Sequence, residues 1–337
     1  MSSPEPILPS NALIGLEDVP KTAVFVGATD GIGKAILQAL VSKGFPTKIY
    51  IVGRNKASHR VLLEDLARSN PQATLIFVEG QISLVADAQR IASQIAAQED
   101  RVELLFLSSG YLPFTGRQET FEGLEASQVV SYYSYIVFVL RLLPQLRRGS
   151  ATRPARVLNI LAAEESTDLY LDDLTLKKPG HSSLPAYAKH VAATVTLALK
   201  HIVEEEEKSD IVFVHAHPGM VSTNIFQNSW DNKYDPDSAH FPMHTRHIFQ
   251  CTPEQAGQRC LCLATSAEYR GVGVALQHGR QKVETIAHGS KGSLFAISDR
   301  LKSLQPEKLL DELQELGAPE VIWTHIMDVL KTHGGFD

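Results

Sequence analysis

The sequence predicts an α/β fold: a doubly wound, seven-stranded parallel sheet of the Rossmann type, formed by a single domain with a C-terminal extension. Two observations lead to this prediction. Short, nearly continuous runs rich in β-branched residues alternate with longer stretches of helical period, which is typical of strands buried on both faces by crossover helices. A glycine-rich loop also follows the first run and opens the first long helical stretch.

The elements follow from the hydrophobic pattern in chain order. Strands are expected at residues 22–26, 48–52, 74–78, 102–108, 155–161, 211–215 and 271–277. Helices are expected at about residues 31–42, 57–69, 83–97, 120–148, 184–206 and 253–266. Because the alternation has no break, one domain is expected over residues 21–282, with a lead-in at 1–20 and a helical extension packed on it at 283–337.

Two segments do not fit the alternation. Residues 163–183 are turn-rich, and residues 224–250 are rich in aromatic side chains and histidine. Each follows a predicted strand, and ligands of open α/β sheets bind beyond the carboxyl ends of the strands. Both segments are therefore predicted to form walls of a substrate site.

Composition narrows the class of ligand. The chain has 337 residues, with 32 Lys+Arg against 38 Asp+Glu, and no basic cluster that would suit nucleic acid. Its apolar runs are shorter than the roughly 18 residues that cross a bilayer, so no membrane span is expected. Three cysteines, bunched between Cys251 and Cys262, indicate no disulfide framework and favour a cytoplasmic location. A small molecule is the expected partner.

The loop after the first strand reads Val-Gly-Ala-Thr-Asp-Gly-Ile-Gly-Lys, with glycines at Gly27, Gly31 and Gly33. Glycine is required where the backbone turns with positive φ or touches a pyrophosphate, and the following helix offers free N–H groups. The loop therefore predicts a nucleotide site, with contacts from Thr29, Asp30 and Ile32 as well as from the glycines.

The end of the second strand indicates which nucleotide binds. Sites for a free ribose 2′-hydroxyl present an acid there, whereas sites for a 2′-phosphate present arginine. Here the sequence has Gly53-Arg54-Asn55 and no acid. The prediction is NADP(H), contacted by Arg54 and Asn55.

Three motifs together resemble the short-chain dehydrogenase/reductase family over about residues 20–280: the glycine loop, Ser108-Ser109-Gly110 after the fourth strand, and Pro218-Gly219 after the sixth. The resemblance implies a Rossmann fold that binds a nicotinamide dinucleotide. The further cofactor contacts that it implies are Ser108, Ser109, Gly110, Lys189, Pro218, Gly219, Val221 and Thr223.

The family's catalytic tetrad of Asn, Ser, Tyr and Lys is matched at one position only. Lys189 begins the matching helical pattern, but Pro185 stands where the family has Tyr, Ala162 where it has Ser, and Ser131 where it has Asn. The missing Tyr is the family's proton donor, and loss of such a group lowers a rate on the order of 10²–10⁴-fold.

The sequences at residues 51–54, 105–108, 131–134 and 263–266 also resemble a fungal branch of the family. Members of that branch act in natural-product pathways and often lack the Tyr motif. This resemblance implies an apolar natural-product substrate.

Several residues are candidates for the missing acid. Tyr187 lies two residues before Lys189, whose charge would lower its pKa, although on a helix it would be rotated about 200° away. A desolvated carboxylate, Glu164 or Asp168, is a second candidate, His181 a third and water a fourth. The catalytic prediction is Lys189 with Tyr187, Glu164 and Asp168.

Residues near the expected hydride-transfer position complete the site. The predicted substrate contacts are Tyr111, Ser131, Tyr132, Ala162, His181, Phe226 and Trp230. The sequence has two groups of histidines, one formed by His215 and His217 and one by His240, His244 and His247. Neither group is completed by a cysteine or a paired acid, so no metal is predicted.

The leading functional hypothesis is an NADP(H)-dependent oxidoreductase, a ketoreductase or alcohol dehydrogenase, acting on an apolar natural-product intermediate. A non-redox cyclase or isomerase on the same fold is the alternative, and a non-catalytic nucleotide-sensing protein is a weaker one. The family resemblance also implies a homodimer through the fourth and fifth helices, predicted at 120–148 and 184–206.

Overall fold

The computed structural model describes residues 7–114, 116–151, 153–162, 169–206, 210–229, 250–269, 285–288, 293–304 and 306–336. Its strands are β1 (Thr22–Val26), β2 (Thr47–Gly53), β3 (Ala73–Glu79), β4 (Leu104–Leu107), β5 (Ala155–Ile160), β6 (Ile211–Ala216), β7 (Ala287–His288) and β8 (Ser293–Ile297). Its helices are α1 (Ile7–Ala12), α2 (Gly31–Val41), α3 (Arg60–Ser69), α4 (Val85–Gln98), α5 (Ala126–Gln128), α6 (Ser134–Gly149), α7 (Leu184–Glu205), α8 (Ile225–Ser229), α9 (Pro253–Thr265), α10 (Glu307–Glu315) and α11 (Ala318–Gly334).

The described strands form one sheet in the order β3-β2-β1-β4-β5-β6-β8-β7. Seven of them run parallel, and β7 pairs antiparallel with β8 at the edge. The predicted doubly wound sheet of seven parallel strands is confirmed. Its strand order reverses beside β1, where β1 pairs with both β2 and β4, and this switch point is where open α/β sheets bind ligands.

Helices cover both faces of the sheet. The helices α2, α3 and α9 pack on one face around Phe25 and Phe106, while α4, α6, α7 and the C-terminal helices pack on the other face around Val24 and Phe213. Strand β1 is buried along its whole length. The near-continuous apolar runs of the sequence therefore reflect strands that are covered on both sides.

The end of the sheet differs from the prediction. The seventh parallel strand is β8, Ser293–Ile297, which pairs with β6 from Val212 to Ala216. It lies in the segment after residue 282, which was expected to be helical and to lie outside the sheet. The strand predicted at 271–277 lies outside the described residues. The five-residue run of β8 was overlooked because glycines and serines surround it, a composition typical of loops.

The predicted helix at 120–148 is built in three parts. After α5, the residues Val129–Tyr133 form a π-helical turn that continues into α6. Such turns insert an extra residue into a helix and occur often at functional sites. The whole stretch Ala126–Gly149 is long and apolar enough to cross a membrane, but 72% of its most apolar window is buried inside the structure, as in the core helix of a globular domain.

The C-terminal helix α11 packs across α7, α4 and the π-helical turn. The Tyr133 hydroxyl lies 2.7 Å from His325 Nε2, and the His201 ring lies 4.2 Å from the Trp323 ring. This helix therefore covers part of the face through which a homodimer was expected. That homodimer stays a prediction, and any such contact would include the outer side of α11.

Candidate active site

The glycine loop between β1 and α2 is packed so closely that only glycine fits at two positions. Gly27 has φ +89°, and a Cβ there would lie 2.6 Å from Ser109 Cα. A Cβ on Gly33 would lie 2.6 Å from Ser108 Oγ and collide with the backbone of Gly27. The loop therefore exposes bare backbone at the start of α2, where free N–H groups and the helix dipole favour phosphate.

A second segment closes over this loop. Thr223 lies beside Gly31, whose φ is +54°, because a Cβ on that glycine would be 3.2 Å from Thr223 Cγ2. Asn224 Nδ2 donates to Asp30 Oδ2 at 3.1 Å. The contact between Asn224 and Asp30 was not predicted, because 194 residues separate the two in the chain.

Ile32, also predicted at the cofactor, packs against a small apolar cluster that contains Val221 and Cys251. Val221 forms an isolated β-bridge with Cys251. Gly219 has φ +73° and lies against Asp299. The turn that begins at Pro218 is therefore held beside the glycine loop, as the sequence motif predicts.

The carboxyl end of β2 presents a cation. Arg54 and Asn55 are exposed just after Gly53, and a Cβ on that glycine would lie 3.0 Å from Thr29 Cγ2. Thr29 thus connects the glycine loop to the β2 end. Asn55 Oδ1 accepts a hydrogen bond from the backbone N–H of Ser58 at 3.1 Å, so its amide shapes the turn.

The β4 end forms the floor of the site. Ser108 Oγ donates to the Gly27 carbonyl at 3.1 Å, and Ser109 Oγ donates to the Val130 carbonyl at 3.0 Å. Tyr135 on α6 donates its hydroxyl to the Ser109 carbonyl. Gly110 lies against α8, since a Cβ there would be 3.0 Å from Ile225 Cδ1. These bonds join the β4 loop to both the phosphate loop and α6.

The tetrad positions meet at the carboxyl edge of the sheet. Helix α7 begins beside this edge because it runs back from the end of β5 to the start of β6. Lys189 is partly buried in its second turn, Pro185 is exposed in the first turn, and Ala162 follows the end of β5. Of these three residues, only Lys189 has a side-chain proton to exchange.

A buried histidine lies near Ala162. His215 on β6 is fully buried, and its Nδ1 lies 2.9 Å from Thr196 Oγ1 on α7. Burial lowers its pKa to about 4, although the backbone of Ala162 favours the charged ring. The ring is therefore neutral near neutral pH.

Tyr187 does not face the expected reaction site. Its side chain is 3% exposed, and its hydroxyl donates to the Ser127 carbonyl at 3.0 Å and lies 3.0 Å from Ser131 Oγ. Burial raises the pKa of Tyr187 well above its usual value. The expectation that Lys189 would lower this pKa is wrong, since α7 already begins at Leu184 and turns the two side chains to different faces.

The predicted substrate residues, and the two predicted catalytic acids Glu164 and Asp168, divide into three groups. Ser131 is buried and bonded to Tyr187, and Tyr132 is buried with its ring 4.2 Å from that of Tyr133. Placing Tyr132 at the substrate was therefore wrong, because the π-helical turn directs it into the core. Glu164, Asp168 and Trp230 lie outside the described residues.

The remaining substrate residues form a rim. The Phe226 ring on α8 lies 5.7 Å from the Phe114 ring, and Ser229 Oγ accepts a hydrogen bond from the backbone N–H of Leu112. The Tyr111 hydroxyl donates to Gln118 Oε1 at 3.0 Å. The β4 loop and α8 therefore meet above the sheet edge. Phe114 was missed because it stands alone in a loop without periodicity.

His181 lies before the first turn of α7. Its Nδ1 is 2.8 Å from Asp173 Oδ2, and its ring stacks on Tyr170 with 3.7 Å between the ring centroids. Among the residues that the structure describes, no group of three or more His, Cys, Asp or Glu side chains is arranged to hold a metal ion.

The fold and the site define the class of protein. A parallel sheet with a glycine loop at its switch point, closed by the β6 turn, is a Rossmann-type dinucleotide-binding domain. The model of the family described as short chain dehydrogenase matches residues 21–164. The chain is also 31% identical over 333 residues to Oxidoreductase AN1596 of Emericella nidulans, covering 96% of this chain and 97% of the relative. The chain belongs to the short-chain dehydrogenase/reductase family.

Other proteins support this assignment. Oxidoreductase andH of Emericella variicolor is 30% identical over 347 residues, covering 99% of this chain and 98% of that protein. The structure of an NADPH-bound carbonyl reductase from chicken fatty liver shares the fold, with a TM-score of 0.53 and 18% identity over 84% of this chain and 98% of that one. YwfH, an NADPH-dependent reductase involved in bacilysin biosynthesis, has a TM-score of 0.53 and 21% identity over 73% and 91%.

Proposed function

We propose that this protein is an NADP(H)-dependent oxidoreductase of the short-chain type, a ketoreductase or alcohol dehydrogenase that acts on an apolar natural-product intermediate. One observation carries the proposal. The loop from Gly27 to Gly33 offers a bare backbone cradle, and the neighbouring β2 end offers the exposed Arg54 in a sequence, Gly53-Arg54-Asn55, that contains no acid. This combination fits a pyrophosphate and a ribose 2′-phosphate.

The residues present fit a nicotinamide dinucleotide. Any side chain at Gly33 would fill the cradle, and the Thr223 segment covers it from the side of β6. Lys189 on α7 would hold the ribose next to the nicotinamide, as the family's lysine does. The bound cofactor supplies a hydride to a carbonyl carbon, or accepts one from an alcohol.

The preference for NADP(H) over NAD(H) rests on Arg54. A guanidinium can form paired hydrogen bonds to a phosphate, whereas sites for a free ribose hydroxyl usually present a carboxylate directly after the second strand, where this sequence has Arg54 and Asn55. The two structural neighbours whose names mention NADPH agree with this preference. The exposed position of Arg54 suits a phosphate at the rim of the site.

The apolar substrate is inferred from the rim. Phe114 and Phe226 lie against each other where the β4 loop meets α8, beside Tyr111. Binding pockets lined by aromatic side chains with few polar groups favour apolar ligands. The two Emericella relatives, both named oxidoreductases, agree with a fungal enzyme, while the role in secondary-metabolite biosynthesis rests on the sequence resemblance. The small number of cysteines, three and all buried, suits a reducing, cytoplasmic location.

The test is a binding titration of the purified protein with NADPH and with NADH, followed by cofactor fluorescence. We expect tighter binding of NADPH. In Arg54→Ala, NADPH affinity should fall about 10–100-fold, because a charge-assisted contact is worth roughly 1.5–3 kcal/mol, while NADH affinity stays unchanged. Arg60→Ala is the matched control, since Arg60 is exposed nearby and pairs with Glu64 at 2.8 Å. Equal binding of both cofactors, unaffected by Arg54→Ala, would contradict the cofactor assignment.

A second function, a non-redox cyclase or isomerase on the same fold, is favoured by the sequence resemblance. It predicts Pro185 and Ala162 at the positions of the family's Tyr and Ser, and neither side chain can donate a proton. An acid–base reaction that retains the nucleotide without consuming it would not need those two hydroxyls. Conversion of a pathway substrate with no change in NADPH absorbance would support this alternative and contradict the oxidoreductase.

A further inference from the structure

The segment between β5 and α7 holds a buried carboxylate that is fully bonded. The backbone N–H groups of Lys177 and Lys178 donate to Asp173 at 2.9 and 2.8 Å, and His181 Nδ1 is 2.8 Å from Asp173 Oδ2. The side chain of Asp173 is 5% exposed, whereas that of His181 is 22% exposed. A fixed carboxylate thus holds one nitrogen of a ring that remains accessible.

The ring of His181 is also fixed from its face. Tyr170 stacks on it with an interplanar angle of 9°, and the backbone N–H of Tyr170 donates to His190 Nδ1 on α7 at 3.3 Å. His181 is therefore tied to α7 through Tyr170 and to its own loop through Asp173. Its Nε2 makes no hydrogen bond within the described part of the chain, so one ring nitrogen can meet a ligand.

The position of this pair suits the site. The segment leaves β5 at Ala162, where the family has its Ser, and enters α7 at Leu184, next to the position of the missing Tyr. His181 therefore lies at the same sheet edge as Lys189. Tyr187, the tyrosine nearest to Lys189 in the chain, is buried and bonded to Ser127 and Ser131, so it offers no acid there.

We propose that His181 is the acid–base group of this site and that Asp173 positions its ring. The proposal rests on the proposed oxidoreductase function and names the residue that replaces the family's proton donor. A carboxylate bonded to Nδ1 fixes the tautomer and orientation of an imidazole and stabilises its charged form, leaving Nε2 to exchange a proton.

Protons and electrons balance when His181 acts as the acid in carbonyl reduction. In reduction, a bound NADPH would supply a hydride to the substrate's carbonyl carbon, and the C=O π electrons would pass to oxygen. The protonated Nε2 of His181 gives its proton to that oxygen, so that an alcohol and the oxidised nicotinamide result. His181 then regains a proton from solvent, and the reverse direction uses neutral Nε2 as the base.

Other charged groups surround the ring. They are Asp172 and Lys178, which form an ion pair, together with Asp173 and the titratable Tyr170 and His190. Burial lowers the pKa of His190 to about 4, so it stays neutral near pH 7.

The experiment compares His181→Gln and Asp173→Asn with the full-length wild type. The activity probes are 4-nitrobenzaldehyde and 1-tetralone, followed by NADPH absorbance. We expect His181→Gln to lower kcat about 10²-fold or more with a small change in KM and to abolish the pH dependence of kcat near neutrality, because general acids contribute on the order of 10²–10⁴-fold. Asp173→Asn should lower kcat less, about tenfold, because the imidazole remains.

A second readout does not depend on turnover. Diethylpyrocarbonate modifies accessible imidazoles, and mass spectrometry locates the product on each histidine. We expect His181 to react in the free protein and to be protected when NADP⁺ and 1-tetralone are both present. His333, partly exposed in the last turn of α11, is the reference residue whose reaction should not change, and His333→Gln is the matched control for activity.

The outcomes separate this proposal from the proposed function. If the wild type binds NADPH and turns over a probe, but His181→Gln keeps its kcat and pH profile, the acid–base role fails alone. If the variant merely melts earlier with unchanged kcat, the pair is structural and the proposal is overturned. If neither probe is reduced, the diethylpyrocarbonate experiment decides. Modification of His181 that NADP⁺ and 1-tetralone do not reduce overturns the proposal, and modification that they do reduce supports it. If the wild type binds no NADP(H), the proposed function fails first.

Discussion

The hydroxyl of Tyr187 lies 3.0 Å from Ser131 Oγ, and the two residues join α7 to the π-helical turn. Ser131 is the residue predicted at the position of the family's Asn, and Tyr187 is the tyrosine nearest to Lys189 in the chain. The bond between them belongs to the packing of two helices and not to a catalytic relay. It therefore holds the hydroxyl of Tyr187 between the two helices, away from Lys189.

The substitution Tyr187→Phe tests whether the Tyr187 hydroxyl takes part in catalysis. Turnover of 1-tetralone should stay within about twofold of wild type, because a buried hydroxyl that does not meet the substrate contributes no acid catalysis. The free energy of unfolding should fall by about 1 kcal/mol through loss of hydrogen bonds. Tyr50→Phe is the control, since the buried Tyr50 ring donates its hydroxyl to Glu99 at 2.6 Å far from α7. A loss of activity in Tyr187→Phe alone would return Tyr187 to the catalytic site.

Gly33→Ala tests the phosphate cradle. The added methyl would collide with the Gly27 backbone and lie 2.6 Å from Ser108 Oγ. We expect a stability loss of about 1–3 kcal/mol, typical of overpacking, together with loss of NADPH binding. Gly15→Ala is the control, because the nearest atom to a Cβ there is 3.8 Å away. Thermal unfolding and the NADPH titration measure the two effects, and normal NADPH affinity in Gly33→Ala would contradict the cradle.

The fold was largely predictable because its determinants are local. Six of the predicted apolar runs, which form β1 to β6, and the glycine loop can be identified within windows of a few residues, and β1, for example, begins and ends where predicted. The strand β8 was missed because a single run of five residues in a loop-like composition carries no periodicity. Its place in the sheet is decided by pairing with β6, which lies some 80 residues earlier in the chain.

The site was predictable only where it is built from one segment. The cofactor loop follows from Gly27, Gly31 and Gly33 alone. The partner of Tyr187 is 56 residues away and the partner of Asp30 is 194 residues away, so no local pattern indicates either contact. Asp173 was one of several acids in its segment, and its bond to His181 depends on a turn that the sequence does not reveal.

Two buried histidines should make the folded protein less stable in acid. Burial lowers the pKa of both His190 and His215 to about 4, below the ordinary value of 6.5. Between those values the unfolded chain binds more protons than the folded chain, so stability is full above about pH 6.5 and is lost as pH falls toward 4. The loss should be on the order of 1–3 kcal/mol per histidine.

Urea unfolding at pH 7 and pH 4.5 measures this loss. His215→Gln removes one titrating group and retains a polar partner for Thr196, so its stability should depend less on pH than that of the wild type. Asp173 does not account for the effect. Burial raises its pKa, but hydrogen bonds from the backbone and from His181 bring it below 3.8, so its contribution is lost only at lower pH. An unchanged pH dependence in His215→Gln would show that this ring is not neutral in the folded state.

Substitution of Trp323 tests how strongly α11 is held against α7. Its ring lies 4.2 Å from that of His201 on α7 and packs against the core. Trp323→Ala should cost about 1–3 kcal/mol, less than a fully buried tryptophan, because the side chain is only partly buried. Val321→Ala is the control, since that side chain is 41% exposed and should change stability by less than about 0.5 kcal/mol. Equal unfolding free energies for the two variants would mean that α11 is not held through Trp323.

The expected homodimer can be tested at the exposed apolar side chains of α11. Because α11 covers α7 and the π-helical turn, a partner approaching this face meets α11, where Val321 is 41% exposed and Leu316 just before it is 66% exposed. Placing a charge in such an apolar contact weakens association without altering the monomer's core. Val321→Lys should therefore shift the wild-type dimer toward monomer in light scattering while leaving thermal unfolding of the monomer unchanged. A wild type that is monomeric at all concentrations would contradict the dimer, since α11 would then already occupy the surface that a second copy needs.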